Sequence, residues 1–209
     1  MNVLVIGGTR GVGKAVVLDA HAAGHTLTVM ARHAGGFADS VSGVRTVIGD
    51  AADATDVERA TAGQDVVVWS VGMAPTRRPV QVFSRGTQFL IAAMARHNVR
   101  RLICVTGIGA GDSKGHGGFL YDRILQPVFM KSVYEDKDRQ EAQIRDSKLD
   151  WTIVRPARLT NGPPTGLYQT LTSTPDSHVR RVSRADVAEF IVANLTAPEY
   201  VRQTVLLTT

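Results

Sequence analysis

Gly7, Gly11 and Gly13 stand in the run Val5-Ile6-Gly7-Gly8-Thr9-Arg10-Gly11-Val12-Gly13-Lys14, a G-x-x-x-G-x-G spacing between a short apolar run and an amphipathic one. A turn of this kind can hold a pyrophosphate. Backbone N–H groups at a helix start point at the ligand, and the helix dipole favours negative charge there. Side chains at the turn would block that approach, so glycine is wanted. The strand–turn–helix setting raises the pattern above a chance glycine repeat, although a tight turn without ligand has the same outline. Gly7, Thr9, Arg10, Gly11, Val12 and Gly13 are the candidate contacts.

The next apolar run ends at Met30-Ala31-Arg32-His33, with Arg32 19 positions past Gly13. Sites selective for NAD(H) place an acid roughly 20 residues past the glycine turn, where it binds the ribose diol. No Asp or Glu lies between Asp19 and Asp39, and a cation stands in its place. That substitution suits a 2′-phosphate, so the expected cofactor is NADP(H), with Arg10 a second phosphate contact; both arginines also read as solvated charges. Asp50 either accepts from the adenine amino group or caps the turn that follows it. Val71 and Gly72, after the valine-rich run 65–69, either let the cofactor lie flat across the sheet edge or simply end a strand.

These residues need a scaffold, and the hydrophobic pattern supplies one. Strands are expected at 2–6, 26–30, 45–48, 65–69, 101–105, 151–154 and 204–207. Helices are expected at 11–23, 55–61, 84–97, 132–147 and 184–195. Thr55 and Glu58 have capping-box spacing, and Ser183 can cap the last helix. The alternation predicts an α/β fold of Rossmann type: a doubly wound, mostly parallel sheet with helices on both faces, residues 1–209 forming a single domain. Strands apolar on both sides are what such a sheet requires. Two stretches break the alternation: 107–130, which opens with six glycines by residue 118, and 157–183, with Pro163, Pro164, Gly166 and Pro175. Both follow strand ends, where doubly wound sheets form their ligand crevice, so both are expected to line a substrate pocket.

The 209 residues carry 44% hydrophobic side chains, 21% charged ones and a net charge of +5, which points to a globular chain rather than a disordered one. No run of about 18 apolar residues suggests a membrane span. With a strand from the second residue and a single cysteine, Cys104, neither a signal peptide nor an internal disulfide is expected, and a cytoplasmic location follows. The basic pairs Arg77-Arg78, Arg100-Arg101 and Arg180-Arg181 are scattered and lack interleaved aromatics, so no nucleic-acid partner is expected. The six histidines show no metal-ligand spacing, and no metal is expected. A G-x-S-x-G elbow is absent.

With these motifs on the page, the chain resembles the short-chain dehydrogenase/reductase superfamily. It is most similar to the atypical NAD(P)-binding members of the biliverdin reductase B/flavin reductase and NmrA-like types. The resemblance covers residues 2–207. It rests on the glycine turn, Gly49-Asp50, Gly63-Gln64-Asp65-Val66-Val67, Thr106-Gly107-Ile108-Gly109, Leu149-Asp150-Trp151-Thr152-Ile153-Val154-Arg155-Pro156, and Ser183-Arg184-Ala185-Asp186-Val187-Ala188. It implies that Lys137 faces the nicotinamide ribose and that Pro156, Ala157 and Arg158 bracket the nicotinamide; a solvated helix charge is the other reading of Lys137. Arg10 stands where the biliverdin reductase B type has its middle glycine. The Tyr-x-x-x-Lys of the tyrosine-dependent branch is missing: Tyr121 is followed four positions on by Leu125, and Tyr134 by Asp138. The serine many relatives carry after the fifth strand is Gly107 here.

Hydride transfer to a flavin, quinone or linear tetrapyrrole needs alignment of two ring systems more than a strong acid. The expected activity is therefore an NADPH-dependent reductase of a small planar acceptor, with flavin as substrate rather than prosthetic group. Thr106, His116, Tyr121 and Arg158 are the candidate proton donors, although Tyr121 also reads as packing beside Phe119 and Leu120. An NADP(H)-binding redox sensor without turnover is the alternative. A sugar-nucleotide epimerase is disfavoured by the short stretch after Pro156. Monomer and dimer both stay open.

Overall fold

Strand β1 (Asn2–Ile6) shows why the sheet is covered on both sides. Val3 and Val5 enter one apolar cluster and Leu4 and Ile6 the other, all at most 1% exposed. Alternation of this kind with no polar face is the mark of a strand buried twice. The structure, a computed structural model, describes residues 1–33, 37, 41–111, 130–173 and 180–209. The other strands are β2 (Thr26–Ala31), β3 (Arg45–Ile48), β4 (Val66–Trp69), β5 (Arg101–Val105), β6 (Asp150–Pro156), β7 (Arg158–Thr160), β8 (Gln169–Leu171), β9 (Arg181–Ser183) and β10 (Gln203–Thr208). The helices are α1 (Gly11–Ala22), α2 (Ala54–Thr61), α3 (Val82–Arg96), α4 (Lys131–Asp146) and α5 (Arg184–Ala193).

Eight strands form one sheet in the order β3-β2-β1-β4-β5-β6-β10-β8. Every neighbouring pair is parallel except β10 with β8. Helices α1 and α5 cover one face through Val16, Val17, Val187 and Ile191. Helices α2, α3 and α4 cover the other through Val57, Leu90, Met94 and Ile144. The protein thus has the doubly wound Rossmann-type α/β fold. Strand order reverses between β1 and β4, and in such sheets the crevice beyond those carboxyl ends takes the ligand. No helix among the described residues is long and apolar enough to cross a membrane.

Differences from the sequence expectation are local. The cap of α2 is Asp53, whose Oδ1 accepts from the Asp56 N–H at 3.0 Å, so Thr55 and Glu58 form no capping box. Glu58 instead receives Arg96 at 2.8 Å and His97 at 2.6 Å, because it faces the end of α3. Ser183 does cap α5, accepting from the Asp186 N–H. The stretch expected to be irregular after β6 contains β7, β8 and β9. Strands β7 and β9 pair with each other in parallel, outside the main sheet. Each has three residues, too few to display a period.

Candidate functional site

The turn after β1 is built by close approach. Gly7 has φ 86°, and a Cβ there would stand 2.6 Å from the Ser70 carbonyl oxygen at the end of β4. A Cβ on Gly13 would stand 2.3 Å from the Gly7 carbonyl oxygen, so only glycine lets α1 start this close to the strand. Arg10 occupies the N-cap with extended φ and ψ; no side chain caps the helix and no acid sits in its first turn. An uncapped helix start, free of competing carboxylates, fits a pyrophosphate.

From this turn a cleft of about 1640 Å³ crosses the carboxyl edge of the sheet. Gly7, Thr9, Arg10, Gly11 and Val12 line its centre, and Gly13 lies buried behind them. Arg32 and Asp50 line the side toward β2 and β3, and Val71 and Gly72 the end of β4. Thr106, Lys137, Pro156, Ala157 and Arg158 line the side toward β5 and β6. The cleft thus gathers the expected cofactor residues. Asp50 behaves as a local cap: its Oδ1 accepts from the Ala52 N–H at 2.9 Å, and its own N–H donates to Asp56 at 2.9 Å.

At the end of β5 the chemistry is more constrained than the sequence suggested. The Thr106 hydroxyl donates to Glu141 Oε1 at 2.7 Å, so the proton proposed for the acceptor is held by an internal carboxylate. Glu141, fully buried, is gripped by Arg155 at 2.6 and 3.1 Å and by Arg145 at 2.8 Å. Arg155 is itself only 3% exposed, and a buried, two-pronged pair of this kind fixes geometry rather than lending mobile charge. The Lys137 ammonium donates to the Thr106 carbonyl. Burial holds that ammonium below its ordinary range, with Cys104 and Glu141 acting in the opposite direction. Phe83 and Tyr134 turn their rings to it at 5.3 and 5.7 Å.

Tyr134 is the site residue that sequence reasoning missed. It lies three positions before Lys137 on α4, so the two share a helix face. Seen from a Cβ built on Gly107, the Tyr134 hydroxyl is 3.8 Å away and Lys137 Nζ 4.0 Å. A search for a four-residue spacing overlooks this pair. Glu141, Arg155, Arg180 and Arg184 were also not singled out; the last two line the cleft, with Arg184 Nε 3.9 Å from a Cβ built on Gly11. Pro156 and Ala157 have already committed backbone groups: the Pro156 carbonyl accepts from Ile108 N–H at 3.1 Å, and Ala157 N–H donates to Leu207 at 2.9 Å. His116 and Tyr121 lie outside the described residues.

Comparison with known proteins follows the same lines. The profile of a family described as NAD(P)H-binding matches residues 7–198. The chain is 28% identical over 212 aligned residues, covering 95% of it and 88% of the relative, to the UPF0659 protein YMR090W of Saccharomyces cerevisiae. Among solved structures it is similar to ChuY of Escherichia coli O157:H7, described as an anaerobillin reductase. That match has 26% identity and a TM-score of 0.84, over 100% of this chain and 97% of the other. A wide-type short-chain dehydrogenase/reductase from Veillonella parvula DSM 2008, solved with NADP, shares the fold at 17% identity and a TM-score of 0.81, over 100% and 94% of the two chains.

Proposed function

Because this chain belongs to the NAD(P)H-binding family, we propose that it is an NADPH-dependent reductase that delivers hydride to a planar conjugated acceptor, a linear tetrapyrrole, flavin or quinone. The observation that carries this reading is a cleft of about 1640 Å³ with the glycine turn at its centre, running from the ends of β2 and β3 to the ends of β5 and β6. Pockets for one small ligand are typically ~300–1,000 Å³. A volume above that range suits a dinucleotide with a second ring system beside it. The anaerobillin reductase named among the similar structures supports a tetrapyrrole acceptor.

In this reading Arg32 and Arg10 take the 2′-phosphate, which favours NADPH over NADH. The start of α1, with Arg184 beside it, takes the pyrophosphate. Val71 and Gly72 offer a flat surface to the cofactor, and Asp50 stands at its adenine end. Lys137, held by the Thr106 carbonyl, faces the nicotinamide ribose, while Pro156 and Ala157 pack against the ring. Bound NADPH supplies the hydride. The Tyr134 hydroxyl, brought beside Lys137, is the described group best placed to donate the accompanying proton. Flavin enters as substrate.

A sensor that binds NADP(H) without turnover is the second reading. It is favoured by Thr106 and Lys137 both being engaged inside the protein. NADPH oxidation by the purified protein against biliverdin, FMN, FAD, quinones and aldehydes, with NADH in parallel, separates the two. Multiple turnovers with a planar acceptor support the reductase. Tight NADPH binding with no turnover on any acceptor overturns it in favour of the sensor.

A further inference from the structure

The cleft carries more positive charge than the cofactor explains. Among the described residues, Arg10, Arg32, Lys137, Arg158, Arg180 and Arg184 line it, against the single carboxylate of Asp50. On the proposed reading, the 2′-phosphate and pyrophosphate engage Arg10, Arg32, Arg184 and the start of α1. Lys137 is already tied to the Thr106 carbonyl. Arg158 and Arg180 remain.

These two arginines belong to a separate wall. Arg158 opens β7 just beyond β6. Arg180 precedes β9, whose first residue, Arg181, pairs with Arg158. The β7–β9 ribbon then runs toward the glycine turn, reaching it at Arg184. Arg180 and Arg184 stand four positions apart on nearly extended chain, roughly 13 Å between their Cα atoms at strand rise, so they enter the cleft at different points along the ribbon. Their base is anchored: Arg180 N–H donates to Thr208 Oγ1 at 3.1 Å, and the Arg181 carbonyl accepts from Thr209 N–H at 3.0 Å. Neither the Arg158 nor the Arg180 guanidinium pairs with a carboxylate among the described residues. Two exposed arginines on an anchored ribbon that lines the cleft are suited to hold oxyanions in two-pronged fashion.

We propose that Arg158 and Arg180 are the specificity-determining residues of the acceptor site and that the acceptor is a planar molecule bearing peripheral oxyanions, carboxylates or a phosphate. The inference rests on the reductase reading and narrows it: neutral quinones and flavins without phosphate are poor substrates. It also moves Arg158 from the cofactor to the acceptor.

The test is binding to the protein saturated with NADP⁺, where no hydride is available. Biliverdin is compared with its dimethyl ester, and FMN with riboflavin, by absorbance and fluorescence titration. The comparison is repeated on Arg158→Gln/Arg180→Gln. The charged member of at least one pair is expected to bind about tenfold or more tightly to the wild type. The double variant should lose that preference while its NADP⁺ affinity stays within about threefold. A preference in the biliverdin pair identifies carboxylates; one in the flavin pair identifies phosphate. Equal binding of charged and neutral members, no binding of any of the four, or a preference that survives in the variant overturns the inference. So does a variant that loses NADP⁺ affinity instead, since the arginines would then serve the cofactor. The reductase reading fails separately, when no acceptor, charged or neutral, oxidises NADPH.

Discussion

Side chains at the cleft divide into those whose chemistry can be read from type and spacing and those whose role depends on a neighbour far away in the chain. On the proposed reading Arg32 is of the first kind, since an acid at the end of β2 suits a ribose diol and a cation a 2′-phosphate. Arg32→Glu should lower the preference for NADPH over NADH by about 1–3 kcal/mol, read as the ratio of the two dissociation constants; an unchanged ratio would remove Arg32 from the site. Tyr134 and Thr106 are of the second kind. A hydroxyl three residues before a lysine, or just after a strand, has no fixed partner in a sequence, and here Thr106 turns to Glu141, 35 positions on. Tyr134→Phe should lower kcat about tenfold or more with little change in NADPH affinity. A kcat equal to wild type would show that the proton comes from solvent or another group.

At the scale of elements, the main strands and helices were legible because each carries a period of its own, whereas the contacts joining them were not. Helix α3 shows this best. Its N-cap, Gln81, makes no side-chain cap bond. The cap comes instead from Asp136 on α4, fully buried, which accepts from the N–H groups of Phe83 at 2.9 Å and Ser84 at 3.3 Å and from the Ser84 hydroxyl. A carboxylate on a charge-rich helix is therefore the bolt between two helices and stands next to Lys137 on α4. Asp136→Ala should cost about 2–4 kcal/mol in urea unfolding, more than an ordinary exposed cap, because it strands buried donors. A loss below 1 kcal/mol would mean that water replaces the carboxylate. Arg101, in one of the scattered basic pairs of the sequence, is likewise only 9% exposed and ties the Asp150 and Asn194 carbonyls together from within.

For the molecule as a whole, cofactor and acid should act on stability in opposite directions. At a hundred times its dissociation constant, NADPH should add about 2.7 kcal/mol to the folded state, and thermal melts should show a larger rise in Tm with NADPH than with equal NADH. Asp186 brings the acid dependence. Burial alone would push its carboxyl up, but the N–H groups of Thr165 and Gly166 and the Ser183 and Thr165 hydroxyls outweigh that and hold it below the usual carboxylate range. Its contribution is therefore complete above the unfolded value of about 3.9 and is lost as pH falls through the lower, folded value. Asp186→Asn should be about 1–3 kcal/mol less stable than wild type at pH 7, with the gap closing in strong acid; a gap that does not change with pH would dismiss the carboxylate as its source. The anchoring of Arg180 and Arg181 by Thr208 and Thr209 has a practical side. Strand β10 ends on the ligand edge of the sheet, while β1 begins on the opposite edge. On the proposed acceptor site, a purification tag fused after Thr209 should load the tether of the ribbon and weaken acceptor binding from outside the cleft, whereas one fused before Met1 leaves from the far side of the molecule.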